Sequence, residues 1–381
     1  MPHSKRSQFN LVKWRVDIQS AMRRSPRLSR WICSLIVVLV AVRMLLPYAL
    51  KAYVNHSLNT AQDYAGKIGG VDLKLWRGGY RIHQVQILKK NGGVQSPLFA
   101  APEVDLSLEW RELIKGAVVG EIIFRQPQIN FVNGSTPEQK QTGKDERWDK
   151  MLQSLFPFKL NRVEITGGEI HFEDPSTQPP VDIYISKVFA TATNLTNTRN
   201  RKQKLPSGLS ASASTVGGGA LNLQIHMDLL KPAPAFEMNC GLTNMDLTAL
   251  NQFLRAYGKF DVERGNFALY TSVAADAGAY DGYFKVFFKD LDVFAWEKER
   301  KKNILAIFWQ AIVGGVATVF KNHPKDQLAT KIPISGSYTN SSVGVWTATA
   351  NLLQNAFIHA LVPKLDQHIT IEEVEIKATD K

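Results

Sequence analysis

The sequence predicts a mainly β protein: one N-terminal transmembrane helix followed by a long, curved antiparallel β-sheet, an open half-barrel groove, with a few short helices. Three observations carry that expectation. The apolar run Trp31–Leu50 is long enough to cross a bilayer. Most of residues 70–300 alternates apolar and polar side chains at period two, as strands with one buried face do. A strand-sized unit also recurs within the chain. In order, the reading is a basic tail over 1–30, an anchor over 31–50, a juxtamembrane helix over 51–69 and a β-groove domain over 70–381.

The tail accounts for most of the charge. Residues 1–51 hold ten of the 46 Lys and Arg side chains and one of the 34 Asp and Glu, Asp17. The remaining residues hold 36 basic and 33 acidic groups, so little of the net +12 is left on them. A nucleic-acid-binding domain would concentrate positive charge on its folded part. No nucleic-acid partner is expected. Placed before an apolar run, the basic excess instead keeps the N-terminus cytoplasmic by the positive-inside rule.

Residues 31–50 read WICSLIVVLVAVRMLLPYAL. At 1.5 Å per residue they span about 30 Å, a hydrocarbon core. Trp31 stands at one end and Tyr48 and Tyr53 near the other, where interfacial aromatics belong. Arg43 lies past the middle, from which its side chain can snorkel to the far headgroups. A cleavable signal peptide fits less well, because the basic leader is long and no small-residue cleavage site follows.

Four runs illustrate the strands: Val71–Leu75, Val104–Leu108, Val181–Ile185 and Leu221–Met227. About a dozen are expected, bounded by Gly, Asn and Pro. Asp246 can cap a helix whose Leu247, Leu250, Leu254 and Tyr257 share a face and which Gly258 can end. Trp148, Met151, Leu152 and Leu155 form a second helical stripe. The repeat is Gly120-Glu121-Ile122-Ile123-Phe124-Arg125-Gln126-Pro127, echoed as Gly168-Glu169-Ile170-His171-Phe172-Glu173-Asp174-Pro175. In each copy Ile and Phe share a face, and Pro is expected to end the pairing.

A second apolar run, Ile304–Phe320, is preceded by Lys298, Arg300, Lys301 and Lys302, contains Gln310 and a Gly pair, and is expected to be a helix of the soluble body. Phosphate-binding glycine loops, nucleophile elbows, H-E-x-x-H and C-x-x-C are all missing from the sequence. The eight histidines lack metal-ligand spacing, and Cys33 lies in the anchor, away from Cys240. No enzyme activity, cofactor or metal is expected. Glu173 and Asp174 are adjacent carboxylates that point to opposite faces of a strand and so form no acid/base pair. The basic loop Arg199, Arg201, Lys202 and Lys204 is expected to be solvated.

The stretch Arg43-Met-Leu-Leu-Pro47-Tyr48, then Tyr53-Val-Asn55 and Leu58, with Asn322–Gly336 and Asn355–Pro363 near the C-terminus, resembles the AsmA-like family of bacterial envelope proteins. The likeness is to its shorter, single-anchor members with a domain of unknown function, and it covers roughly residues 43–380. It implies an inner-membrane protein with a periplasmic bulk. Larger members of that family are thought to carry phospholipid along β-grooves, and this chain is far shorter.

An apolar sheet face without enough helices to cover it suits acyl chains, so phospholipid and membrane are the expected partners. The groove candidates are Ile122, Phe124, Ile170, Phe172, Ile183, Ile185, Leu223 and Ile225. The anchor residues are Trp31, Arg43, Pro47 and Tyr48. A non-enzymatic scaffold for envelope or outer-membrane proteins, with the same face closed as core, stands as the alternative.

Overall fold

The computed structural model describes residues 26–59, 63–74, 78–90, 92–108, 114, 119–142, 159–195, 204–228, 235–258, 260–276, 279–294, 320–322 and 327–337. The chain divides into two compact units, Met1–Tyr53 and Val54–Lys381.

In the first unit, helix α1 begins at Pro26 and runs on to Leu58 in the second, with Pro47 inside it. Its stretch from Arg30 is long and apolar enough to cross a membrane. Trp31, Tyr48 and, save Leu46, the leucines and valines between them are exposed, as is Arg43.

In the second unit the helix ends earlier than expected and the sheet begins earlier. The juxtamembrane helix over 51–69 is corrected: α1 stops at Leu58, and β1 (Tyr64–Lys67) is already part of the sheet. Val54, Ser57 and Leu58 are buried, the Asn59 side chain donates to the Gly66 carbonyl, and the Ile68 N–H donates to Asn55 Oδ1. These contacts tie the last turn of α1 to the sheet edge.

β1 and β2 (Gly70–Lys74) lie end to end along β3 (Gly79–Lys89). β4 (Phe99–Leu108) and β5 (Val119–Arg125) follow antiparallel. Pro127 interrupts β5 without ending the pairing, since the chain resumes at once as β6 (Gln128–Val132). Both β5 and β6 pair parallel with β7 (Lys159–Asp174). The next six strands are antiparallel to their sequence neighbours: β8 (Val181–Thr193), β9 (Ser207–Thr215), β10 (Ala220–Asp228), β11 (Ala235–Asp246), β12 (Asp261–Asp276) and β13 (Ala279–Phe294). β14 (Phe320–Asn322) and β15 (Gln327–Ser337) complete the sheet, β15 against β13 and β14 outside it. The described strands number fifteen, in one sheet.

The four runs chosen from alternation fall in β2, β4, β8 and β10, save Leu75, which lies outside the described residues. Phe320, expected at the end of a helix, opens a strand. The rest of Ile304–Phe320, the stripe Trp148–Leu155 and Asn355–Pro363 lie outside the described residues.

Register shifts interrupt the ladders between Thr166 and Ile170, between Ser186 and Phe189, and between Leu242 and Met245. Near them Gln126, Lys187 and Asn244 take positive φ, and so does Gly167 at +68°. Each extra residue bends its strand and adds twist, which curves the sheet. The bulges also keep one face apolar. Ile165 and Ile170 are an odd number of residues apart, yet both face the same side because the bulge absorbs the mismatch.

Candidate functional site

The apolar face can be read across the strands. One register row runs Val71, Ile82, Val104, Phe124, Ile165, Ala190, Ala211, Leu223, Cys240, Thr271, Phe284. The adjacent row runs Leu106, Ile122, Val163, Ala192, Leu209, Ile225, Met238, Val273. Ile170 opposes Ile185 and Phe172 opposes Ile183. Directly opposed side chains share a face, so all eight groove candidates lie on one side of one sheet. The intervening positions on β10, Asn222, Gln224 and His226, are exposed on the other side.

Burial divides the eight into two sets. Ile122 and Phe172 are 1% exposed, Ile183 6% and Ile225 0%. Phe124, Ile170, Ile185 and Leu223 are only partly buried. The partly buried set continues through Ile165, Ala190, Ala211, Met238 and Cys240. Towards one end of these strands lie the buried Ala192, Met227, Val273 and Ala275, and towards the other Phe172, Ile183, Leu242 and Met245. The face is therefore packed at both strand ends and less so midway. Small residues mark that middle, where Ala190 opposes Ala211. Burial there pushes the Cys240 thiol pKa up.

The rim formed by the ends of β7 and β11 carries a strap, Leu247–Gly258. Asp246 caps it as expected, accepting from the Thr248 N–H at 2.9 Å. Gly258 ends it. Its winding is not a regular α-helix: a 3-10 turn, one α turn and a π turn follow one another. Leu247 and Leu254 pack with Val262, Val286 and Phe288. Further along, the Tyr257 hydroxyl donates to Asp174 Oδ2 at the end of β7. Four strand spacings separate β7 from β11, about 19 Å along the sheet, and Leu247–Tyr257 at helical rise covers about 16 Å. The strap thus runs as a chord under the arc of β8–β10. The turn between β9 and β10 rests on it, where Gly217, at φ +77°, sits close to Asp246 and Ala249.

Asp174, 2% exposed, is the polar centre of this rim. Besides Tyr257 it accepts from Asn133 Nδ2 at 2.7 Å, from the Ser176 N–H at 3.0 Å and from Ser176 Oγ at 2.5 Å. Burial, and then the hydrogen bond the phenol donates to the carboxylate, push the Tyr257 pKa well above the usual tyrosine range, while Asn133 pulls the other way. Its neighbour Glu173 instead accepts from Ser96, so the two carboxylates serve separate partners.

The outer face carries ion pairs across β2–β5. Arg81 reaches Asp105 through two nitrogens and Glu103 through a third, Lys74 pairs with Asp105, and Arg125 pairs with Glu103. His171 lies on this face against Asp182 and is stacked on Tyr184. Among the described residues no group of three His, Cys, Asp or Glu side chains has metal-binding geometry.

Asp174, Asn133 and Tyr257 were not candidates on sequence grounds. The available signal was Tyr257 on the apolar stripe of a capped helix, a polar tip where a leucine would otherwise stand. No protein-family model matches the chain, and no curated protein matches it.

Proposed function

We propose that the apolar face binds phospholipid acyl chains and that the protein, held in a bacterial inner membrane by α1 with its bulk in the periplasm, assists lipid transfer or envelope homeostasis without catalysing a reaction. The observation that carries this reading is the partly buried middle of a continuous apolar face, from Phe124 on β5 to Cys240 on β11. Six strands in sheet order take part, so the strip is about 24 Å long across the strands, the length of an extended long acyl chain. The resemblance of Arg43–Tyr48 and Asn322–Gly336 to AsmA-like proteins points the same way, as does the basic tail for orientation.

Photo-crosslinking residues at Phe124, Ile170, Ile185 or Leu223 should capture phospholipid in membranes, and those at Glu121 and Glu169 on the outer face should not. Ile170→Glu places a charge among the chains, where desolvation is costly, and should lower bound lipid while the protein still accumulates.

A scaffold with a closed core is the second reading, favoured by the complete burial of Ile122, Phe172 and Ile225. It predicts that Ile170→Glu unfolds the domain. A folded, anchored wild type carrying no stoichiometric lipid by mass spectrometry would sink the groove reading.

A further inference from the structure

We infer that Leu247–Gly258 is a releasable strap that gates the groove at the rim it crosses, with Tyr257 on Asp174 as its latch; this rests on the groove reading. The strap is held differently at its two ends. At its base, Leu247 and Leu254 sit in the core. There Asn251 is locked to Val262 by two bonds, Nδ2 donating to the carbonyl at 2.9 Å and Oδ1 accepting the N–H at 2.8 Å. Its far end is the turn between Leu254 and Phe260, both core residues; there the ring of Tyr257 packs on Phe253 of the strap itself, and the hydroxyl bonds Asp174 of β7.

Release of that end leaves no stranded charge. Asp174 keeps the donors of Asn133 and Ser176, and the phenol passes to water. A buried carboxylate left alone would make opening prohibitive, but one that keeps three donors does not. The winding favours the same motion. A 3-10 turn running into a π turn has no long ladder of helical hydrogen bonds to break, and π turns collect where segments move or bind. Leu254 and Phe260 then act as the hinges, and the turn between them, with Tyr257, as the part that lifts from the rim.

The test uses the full chain in lipid nanodiscs and Tyr257→Phe, which removes one oxygen and keeps the ring. Two quantities are read: amide hydrogen exchange of residues 251–258, and uptake of a pyrene-labelled phosphatidylcholine from phosphatidylethanolamine and phosphatidylglycerol vesicles. In the wild type the strap already exchanges faster than β11 and β12. Losing one bond to a carboxylate speeds its exchange about tenfold. Lipid uptake and release rise several-fold in the same variant, with the amount bound at equilibrium unchanged. Arg255→Ala, which breaks the pair with Asp261 at the start of β12 and leaves the bond to Asp174 in place, keeps both readouts near the wild-type level, since solvent screens an exposed pair. Unchanged exchange in Tyr257→Phe overturns the latch. Faster exchange with unchanged lipid rates overturns the gate and makes the strap a static strut. A wild type that takes up no labelled lipid overturns the groove reading instead.

Discussion

Asp105 holds the outer face of β2–β5 together, and its charge carries a consequence for pH. Burial alone would raise its pKa, but hydrogen bonds from Arg81 and Lys74 outweigh that and hold it below the usual carboxylate range. A carboxylate depressed in the folded state stabilises above its unfolded pKa, near 4, and loses that contribution as pH falls through the folded value. Asp105→Asn should therefore cost about 2 kcal/mol at neutral pH and less below about pH 4, where the wild type weakens and the variant does not. Urea midpoints at both pH values measure it. On the inner face, residue type told less than position. Phe172 and Ile170 stand in one period-two run, yet Phe172 is core and Ile170 is partly open. Phe172→Ala should cost about 3–5 kcal/mol and Ile170→Ala about half that or less, by the same urea measurement. Alternation reveals a shared face; how deeply each member is covered depends on strands that pair far away in the chain.

At the scale of elements, the strands were legible because period two survives in each. The bulges were less so: Gln126 and Lys187 carry no local mark of a positive φ, while Asn244 and Gly167, types that favour it, were the available signal. Curvature as such was expected, but missing the bulges hides where it falls, and with it the contact of a segment leaving β11 with β7. The strap was legible as a capped helix ending at Gly258. Its irregular winding and its bond to Asp174 were not, because both follow from the curled sheet rather than from propensity. Gly217 tests how firmly the strap base is seated. A Cβ there would stand 2.3 Å from the Asp246 carbonyl oxygen and 3.2 Å from Ala249 Cβ, at a φ of +77°. A backbone oxygen cannot step aside as a side chain does, and left-handed φ penalises any Cβ. Gly217→Ala should therefore lower stability by about 2 kcal/mol or more, and thermal unfolding of the variant measures it. An unchanged transition would mean that the turn between β9 and β10 does not rest on the strap.

At the scale of the whole molecule, the proposed orientation rests on charge asymmetry, and burial sets the boundary. The basic tail predicts that a periplasm-dependent reporter fused after Lys381 is active; an inactive reporter on a stable fusion would put the C-terminus on the cytoplasmic side. The boundary prediction departs from the sequence-based division at residue 70. Between Val54 and that point lie Val54, Leu58, Tyr64 and Ile68, all buried, and β1, which pairs with the second half of β3. Burying a large apolar side chain contributes about 1.5–3 kcal/mol, so the four together amount to about 6–12 kcal/mol. The net stability of a domain is about 5–15 kcal/mol, and loss of the segment also strips a strand from the edge of the sheet. A chain beginning at Val54 should remain monodisperse in size-exclusion chromatography and melt in one cooperative transition. A chain beginning at Gly70 should aggregate or melt far lower, its β3 edge bare from Gln86 to Lys89. Equal stability of the two chains would show that the last turn of α1 and β1 are appended to the sheet rather than part of its core.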